Sequence, residues 1–281
     1  MRKILAGNIS RYRKARGLTQ EELARQLSIS FQAVSKWETG QTVPDTLLLP
    51  ALAQTLGISL DKLMGYAAFK ESETFYEAAY KDEGYFWGVE PGRSCYRVLE
   101  LLPPTKRIKL LDIGCGEGKD AVFFARCGYE VTAFDISTAG LEKAKRLADR
   151  ARVQLRTFRA NVLDYRLDES FDVLFSSGVL HYIPPALRGE IMVNYKAHVN
   201  ENGLAALNVF VDKPFIAPPP DDDAALMHPW QPGELLTHFA DWYTEDFREY
   251  VFDCDSAGVP HQHAMNVLFA KRVHPSYNCR Q

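Results

Sequence analysis

Residues 110–118, Leu110-Leu111-Asp112-Ile113-Gly114-Cys115-Gly116-Glu117-Gly118, decide how this chain is read. An apolar run ends in an acid and then in three glycines at alternate positions. The pattern predicts a buried parallel strand that turns sharply into a helix beneath a nucleotide-like ligand. Glycine permits the tight turn and a backbone approach where a Cβ would collide. The spacing also separates ligand classes. A dinucleotide loop, G-x-G-x-x-G, would put its third glycine at 119, but Lys119 stands there and the third glycine comes one residue early.

Outward from this loop, short apolar segments alternate with helical ones. Strands are predicted at 109–114, 129–134, 153–159, 171–176, 203–210, 248–254 and 265–272. Helices are predicted at about 118–127, 138–149, 186–198 and 232–240. Such alternation implies a parallel sheet covered by helices on both faces. Ligands of open α/β sheets sit beyond the carboxyl ends of the strands. Asp135 ends the second strand, where its carboxylate can accept two ribose hydroxyl bonds worth roughly 1.5–3 kcal/mol. Cys115 reads as packing rather than as a nucleophile.

The strand, its acid and the G-x-G-x-G loop together resemble the first motif of the class I S-adenosylmethionine-dependent methyltransferases. The stretch from about 75 to 272 resembles the tellurite-resistance-like group among them, on "LLDIGCGEGKDAVFFARCGYEVTAFDIS", "GELLTHFADW" and "VLFAKR". The resemblance implies a Rossmann-like seven-stranded domain whose final strand, 265–272, inserts antiparallel. It implies S-adenosylmethionine as cofactor and S-adenosylhomocysteine as product. Asp112, Gly114, Gly116 and Gly118 would lie under the amino-acid part of the cofactor, with Asp135 on the ribose. Ile136, Asn161 and Val162 would be at the adenine, although the family often has Asp where Asn161 falls. Ser176, Ser177 and Gly178 would face the sulfonium. Tyr85 and Trp87 lie on a segment that in this family folds over the cofactor.

Methyl transfer from a sulfonium is an in-line displacement on an already activated cofactor, so the protein mainly positions, desolvates and sometimes removes a proton. No metal site is predicted. His181, His261 and His263 are the candidate catalytic side chains, with Tyr182 and His228 as further orienters. Characterised members of the group carry His and Arg near the end that handle an oxyanion. Here Val259-Pro260-His261-Gln262-His263 has no arginine, so the expected acceptor is an unspecified small molecule. The acidic Pro218–Asp223 run reads as a solvated loop. DNA is not the expected methyl acceptor, because no N-P-P-Y type base-flipping motif is present; Ile183-Pro184-Pro185-Ala186 lacks the aromatic residue.

The 281 residues carry a net charge of −3, unevenly spread. Residues 1–66 hold nine Lys/Arg and five Asp/Glu, a net of +4, which leaves −7 on the remainder. A basic head on an acidic body points to a polyanion at the head alone. Helices are predicted over about 4–15, 20–27, 31–38, 44–56 and 60–64. Ile9, Leu18, Leu23, Leu27, Ile29, Val34, Trp37, Leu49, Leu52, Leu56, Ile58 and Leu63 would be the core. A tight turn, Ser28-Ile29-Ser30, joins the second and third helices. "GLTQEELARQLSISFQAVSKWETGQTVPD" resembles the lambda-repressor-like (XRE) helix-turn-helix family. That resemblance implies a third helix in the major groove of a double-stranded operator. Ser30, Gln32, Ala33, Ser35 and Lys36 would be near base edges, Gln20 at phosphate, and Arg11, Arg13 and Lys14 near the backbone. Repressor-like heads often dimerise, so a homodimer is expected. A small helical protein-interaction module is the plainer reading of the same helices.

The fold expected is thus a small all-α helix-turn-helix domain over 1–66, followed by an α/β Rossmann-like seven-stranded class I methyltransferase domain over 73–275. The five cysteines are scattered and contain no C-x-x-C pair, so neither a zinc site nor a disulfide framework is predicted. A reducing, cytoplasmic setting fits them, and neither a secretory signal nor a membrane span is expected. Three functional classes stand open: an active methyltransferase tied to DNA, a regulator whose methyltransferase-like domain only senses a ligand, and a nucleotide-binding oxidoreductase, which the glycine spacing disfavours.

Overall fold

The computed structural model describes residues 2–58, 60–64, 75–217, 227–255 and 260–273. The predicted linker at 65–72, Ser59, the Pro218–Asp223 run and Val259 lie outside the described residues. The chain divides into two units, Met1–Glu73 and Thr74–Gln281.

The first unit holds α1 (Arg2–Ala15), α2 (Gln20–Gln26), α3 (Phe31–Glu38), α4 (Leu49–Leu56) and α5 (Leu60–Met64). Thr19 starts α2 through a reciprocal cap. Its hydroxyl accepts the Glu22 N–H at 3.1 Å, and the Glu22 carboxylate accepts the Thr19 N–H at 2.7 Å. Ser30 caps α3 by accepting the Ala33 N–H. The helix predicted over 44–56 is instead a 3-10 turn, Thr46–Leu48, followed by α4. Pro50 explains the break, because it has no N–H to donate and its ring crowds the carbonyl four residues back. Leu5, Ile9, Leu23, Ala24, Leu27, Val34, Trp37, Leu52, Ala53, Leu56 and Leu63 form the buried core. Leu18, expected there, is only half-buried and stands outside it.

The second unit begins with α6 (Phe75–Ala79) and α7 (Arg93–Leu101). Next come β1 (Lys109–Ile113), α8 (Lys119–Cys127), β2 (Glu130–Asp135), α9 (Thr138–Ala151), β3 (Arg156–Arg159) and β4 (Phe171–Ser176). A 3-10 turn, Leu180–Tyr182, leads to α10 (Pro185–Ala197), β5 (Val199–Val211), α11 (Glu234–His238), β6 (Tyr243–Cys254) and β7 (His261–Lys271). The seven strands form one sheet in the order β3-β2-β1-β4-β5-β7-β6. The first five strands run parallel, and β7 is antiparallel to both β5 and β6, as expected for the last strand. Buried side chains fill both faces of the sheet in two clusters, one including Phe134, Tyr195 and Trp230, the other Phe124, Val131 and Phe175.

Three strands, β5, β6 and β7, start earlier than predicted. Asn200-Glu201-Asn202-Gly203 reads as a turn, yet β5 passes through it, with a register shift against β4 and Asn202 at φ +62°. The first residues of β6 include Glu245 and Asp246, which suit a solvent-facing edge strand better than a sheet interior.

Candidate functional site

β1 and β2 end side by side, with Ile113 in register with Phe134. Beyond them the chain bends through Gly114, Gly116 and Gly118, at φ +71°, +51° and +84°. The N–H groups of Gly114 and Cys115 donate to the Phe134 carbonyl at 2.9 and 3.0 Å. The Gly116 N–H donates to Asp135 Oδ2 at 2.8 Å, and Ser137 N–H donates to Oδ1 at 2.8 Å. Bend and acid are therefore one hydrogen-bonded unit, and the carboxylate keeps lone-pair capacity beyond its backbone donors. Burial raises the Asp135 carboxyl above its usual range, opposed by backbone hydrogen bonds from Ser137, Gly116 and Ile136.

Each glycine also answers to a neighbour within the protein. A Cβ at Gly114 would come within 2.6 Å of Val179, at Gly118 within 2.5 Å of the Ala144 Cβ, and at Gly116 within 2.9 Å of the Tyr80 hydroxyl. Close approach to a ligand is thus not the sole reason for these glycines; α9, the loop after β4 and Tyr80 just after α6 demand them too. The Cys115 thiol is buried and pushed well above its ordinary range by desolvation, the behaviour of a packing residue.

Residues 75–92 are fastened to this bend by polar contacts. The Glu117 carboxylate pairs with Lys143 at 2.8 Å, both side chains almost wholly buried. Lys143 also donates to the Gly84 carbonyl, and its ammonium lies 5.5 Å from the Tyr85 ring centre. The Trp87 N–H donates to Glu117, and its indole N–H donates to the Tyr80 hydroxyl at 3.1 Å. Glu77 accepts from the Ser137 hydroxyl at 2.5 Å. Tyr85 is half-buried and Trp87 is 45% exposed. Asp112 is buried, its Oδ2 has no hydrogen-bond partner among the described residues, and desolvation together with nearby Asp120 raises its carboxyl well above the normal range.

The remaining predicted cofactor positions differ in how they are engaged. Ile136 is half-buried, and its carbonyl accepts from Arg159. Asn161 Oδ1 accepts the Leu163 N–H at 2.9 Å, closing the turn after β3, and Val162 packs into the core. Ser176 is buried and donates to the Ile113 carbonyl, which ties β4 to β1. Ser177 and Gly178 are exposed beyond β4. Asn208 of β5 holds both: its Oδ1 accepts the Gly178 N–H at 2.8 Å, and its Nδ2 donates to the Ser177 hydroxyl at 3.2 Å.

His181 lies on the turn after this loop, fully enclosed. Its ring stacks on Phe210 at 4.1 Å, and Phe210 stacks in turn on His263 at 4.2 Å. Burial, with His263 adding to it, lowers His181 to about 3, so the ring is neutral near pH 7 and a weak base. The backbone of 228–230 covers this turn. The His228 N–H donates to the His181 carbonyl at 2.7 Å, and the Trp230 indole donates to the Leu180 carbonyl at 3.1 Å. Arg188 clamps that segment through Glu234, the His228 carbonyl and the face of Trp230. His261 and His263 lie on β7, with their Nε2 atoms 2.9 Å apart, and Cys254 sits opposite His261 across the β6–β7 ladder. The sequence reading predicted no metal-ligand grouping, yet these three residues converge because the strands pair.

In the first unit, Gln32 and Lys36 are exposed on α3, Ala33 and Ser35 are half-buried, and Ser30 is the cap. Arg13 is not a surface contact. It is 8% exposed and forks onto Glu38 at 2.6 and 3.0 Å, and it also donates to the Leu18 carbonyl. Gln20 spends its amide N–H on the same Glu38 at 2.7 Å. The Glu38 carboxyl is lowered because the hydrogen bonds and charge of Arg13, with Gln20, outweigh desolvation.

Sequence reasoning missed Tyr80, Glu77, the Glu117–Lys143 pair, Asn208 and Arg188. Only Asn208 carried a signal, an amide inside the apolar run "LAALNVFV". The others act through contacts between segments far apart in sequence.

Comparison with known proteins agrees with this geometry. A family described as "Methyltransferase domain" matches residues 110–203, and one described as "Helix-turn-helix" matches residues 9–63. The curated relatives include Hemagglutinin 1 of Eikenella corrodens, 28% identical over 182 residues, which cover 62% of this chain and 58% of that protein. They also include the probable S-adenosyl-L-methionine-dependent methyltransferase TehB of Haemophilus influenzae, 23% identical over 146 residues, 50% of this chain and 47% of that protein. The chain thus spans about half the length of the curated relatives it matches. The crystal structure of TehB from Haemophilus influenzae superposes with a TM-score of 0.57 at 17% identity, over 71% of this chain and 66% of that one, a likeness of fold. The chain joins an N-terminal helix-turn-helix domain to a methyltransferase domain with a seven-stranded sheet.

Proposed function

We propose that the chain is an S-adenosylmethionine-dependent methyltransferase of a small-molecule acceptor, joined to a sequence-specific DNA-binding domain that acts in transcription regulation. The observation that carries the enzymatic half is the Gly116 N–H bonded to Asp135 Oδ2 at 2.8 Å at the carboxyl ends of β1 and β2. It puts a carboxylate with lone-pair capacity to spare beside the glycine bend, where ribose hydroxyls can donate.

The residues present suit this cofactor. Asp112 offers a buried oxygen without a partner, a costly arrangement that an ammonium such as the cofactor's α-amino group relieves. Asp135 takes the ribose, and Ile136 and Val162 give the adenine an apolar margin. Tyr85 and Trp87 close over the site from a segment that Glu117 and Lys143 hold in place. When bound, the cofactor supplies a methyl group on a positively charged sulfur. The protein then orients the acceptor and excludes water. Asn208 fixes the backbone of Ser177 and Gly178 at the rim of the chamber. His181, neutral near pH 7, serves as a hydrogen-bonding wall and not as the proton acceptor. His261 and His263 remain the histidines proposed for the acceptor's side.

For the first unit, Gln32 and Lys36 are the exposed α3 side chains proposed to reach bases and phosphates of an operator. Ser30, Ala33 and Ser35 shape the approach of that helix. Gln20 contributes from α2 through its second amide hydrogen and its backbone N–H, since Glu38 takes only one hydrogen of its amide.

Calorimetry with S-adenosylhomocysteine tests the enzymatic half. Binding is expected, and Asp135→Ala should weaken it by about tenfold or more. An unchanged affinity removes the ribose assignment, and tighter binding of NADH points to oxidoreductase chemistry instead. A panel of small acceptors then separates turnover from ligand sensing alone. For the head, Gln32→Ala with Lys36→Ala should abolish specific operator binding and leave S-adenosylhomocysteine affinity unchanged. Loss of both would contradict separate sites.

A further inference from the structure

We propose that Cys254, His261 and His263 form a three-ligand site for a zinc-type divalent cation, with the fourth position open. The ligand atoms, Sγ and two imidazole nitrogens, all lie within 4.8 Å of one another. The topology makes this convergence. Cys254 is the direct cross-strand partner of His261, and His263 follows two residues later on the same face of β7. The spacing C-x6-H-x-H is thus what an antiparallel pair requires to aim three side chains at one point.

The geometry needs little adjustment. The two Nε2 atoms are 2.9 Å apart, with one ring donating to the other. Tetrahedral zinc, with Zn–N near 2.0–2.1 Å and Zn–S near 2.3 Å, sets its ligands about 3.3 Å (N to N) and about 3.6 Å (N to S) apart. Movement of less than about 1.5 Å suffices. His263 is pre-oriented, because its ring stacks on Phe210 at 9° and packs against Phe252 at 5.7 Å. Two imidazoles and a thiolate are borderline-soft donors, which favour zinc over magnesium or calcium. Three protein ligands with a vacant fourth position are also the ligand count of catalytic rather than structural zinc sites.

The site's location gives it a use. Because β7 runs antiparallel, its first residues lie at the carboxyl ends of the parallel strands, where Val211 pairs with Ala264. The His263–Phe210–His181 stack then connects the cluster to the loop after β4. A cation there can take a donor atom of a ligand entering the chamber.

The test uses the full chain stripped of metal by dialysis against a chelator. Zn2+ is titrated against a chromophoric chelator, and Co2+ is added separately to read the electronic spectrum. One cation per chain is expected, with a thiolate-to-cobalt band in the near ultraviolet and tetrahedral d–d bands in the visible. Cys254→Ser should remove the thiolate band and, like His263→Gln, weaken zinc uptake by about tenfold or more. Cys127→Ser, a half-buried thiol on α8, serves as the control and should change neither. Absence of stoichiometric uptake by the parent chain, or an unchanged thiolate band in Cys254→Ser, overturns the proposal. S-adenosylhomocysteine affinity and far-ultraviolet circular dichroism in the same samples report the fold and the cofactor site independently. The metal site therefore stands or falls apart from the methyltransferase reading.

Discussion

The two halves of the sheet's carboxyl edge are built by different means. At β1 and β2 the backbone does most of the work: three positive-φ glycines, the Phe134 carbonyl and one carboxylate. At β4, β5 and β7 side chains do it: Asn208 holds a loop, and three rings stack from His181 to His263. The first design is local and tolerates few residue types. The second is assembled from strands far apart in sequence. A shared cofactor and a variable acceptor would call for this division of labour.

The largest expected effect lies in the first half. Lys143→Met leaves Glu117 charged and buried, at a cost of about 3–5 kcal/mol in urea unfolding. Adding Glu117→Leu should recover most of that loss, because the uncompensated charge goes with it. If the single variant unfolds like the parent, the segment at 84–87 is not held by this pair. An intermediate effect belongs to the second half. Asn208→Leu removes two hydrogen bonds, about 1–2 kcal/mol together, so amide exchange at 177–180 should quicken by roughly tenfold. Exchange at 114–118 should not move. Equal quickening at both ends would mean the halves are one cooperative unit.

The smallest effect concerns pH. Burial lowers His181 from 6.5 to about 3, so the unfolded chain binds that proton more tightly than the folded one. The stability due to its neutral ring is complete above pH 6.5 and declines as pH falls toward 3, by at most about 1.4 kcal/mol per unit. His181→Phe should therefore lose less stability than the parent between pH 7 and 6, as measured by urea unfolding. Parallel curves for the two proteins would place the imidazole in water rather than against Phe210.

How much the residues reveal depends on the range of the interactions. The capping box at Thr19, the glycine bend and Asp135 were legible because each is made by residues close in sequence or by one fixed strand-to-strand step. The early starts of β5 and β6 were not, because a tolerated bulge and an exposed edge both look like turns. Arg13 resembles a surface cation in the sequence; its burial against Glu38 depends on how α1 packs on α3.

The order of elements, the glycine bend and the helix-turn-helix follow from the chain alone, since periodicity, caps and glycine spacing are properties of neighbours. The clamp on the bend, the neutral His181 and the meeting of Cys254, His261 and His263 were decided only by the tertiary structure. Each depends on desolvation or on strand register, and neither exists until distant segments pack together.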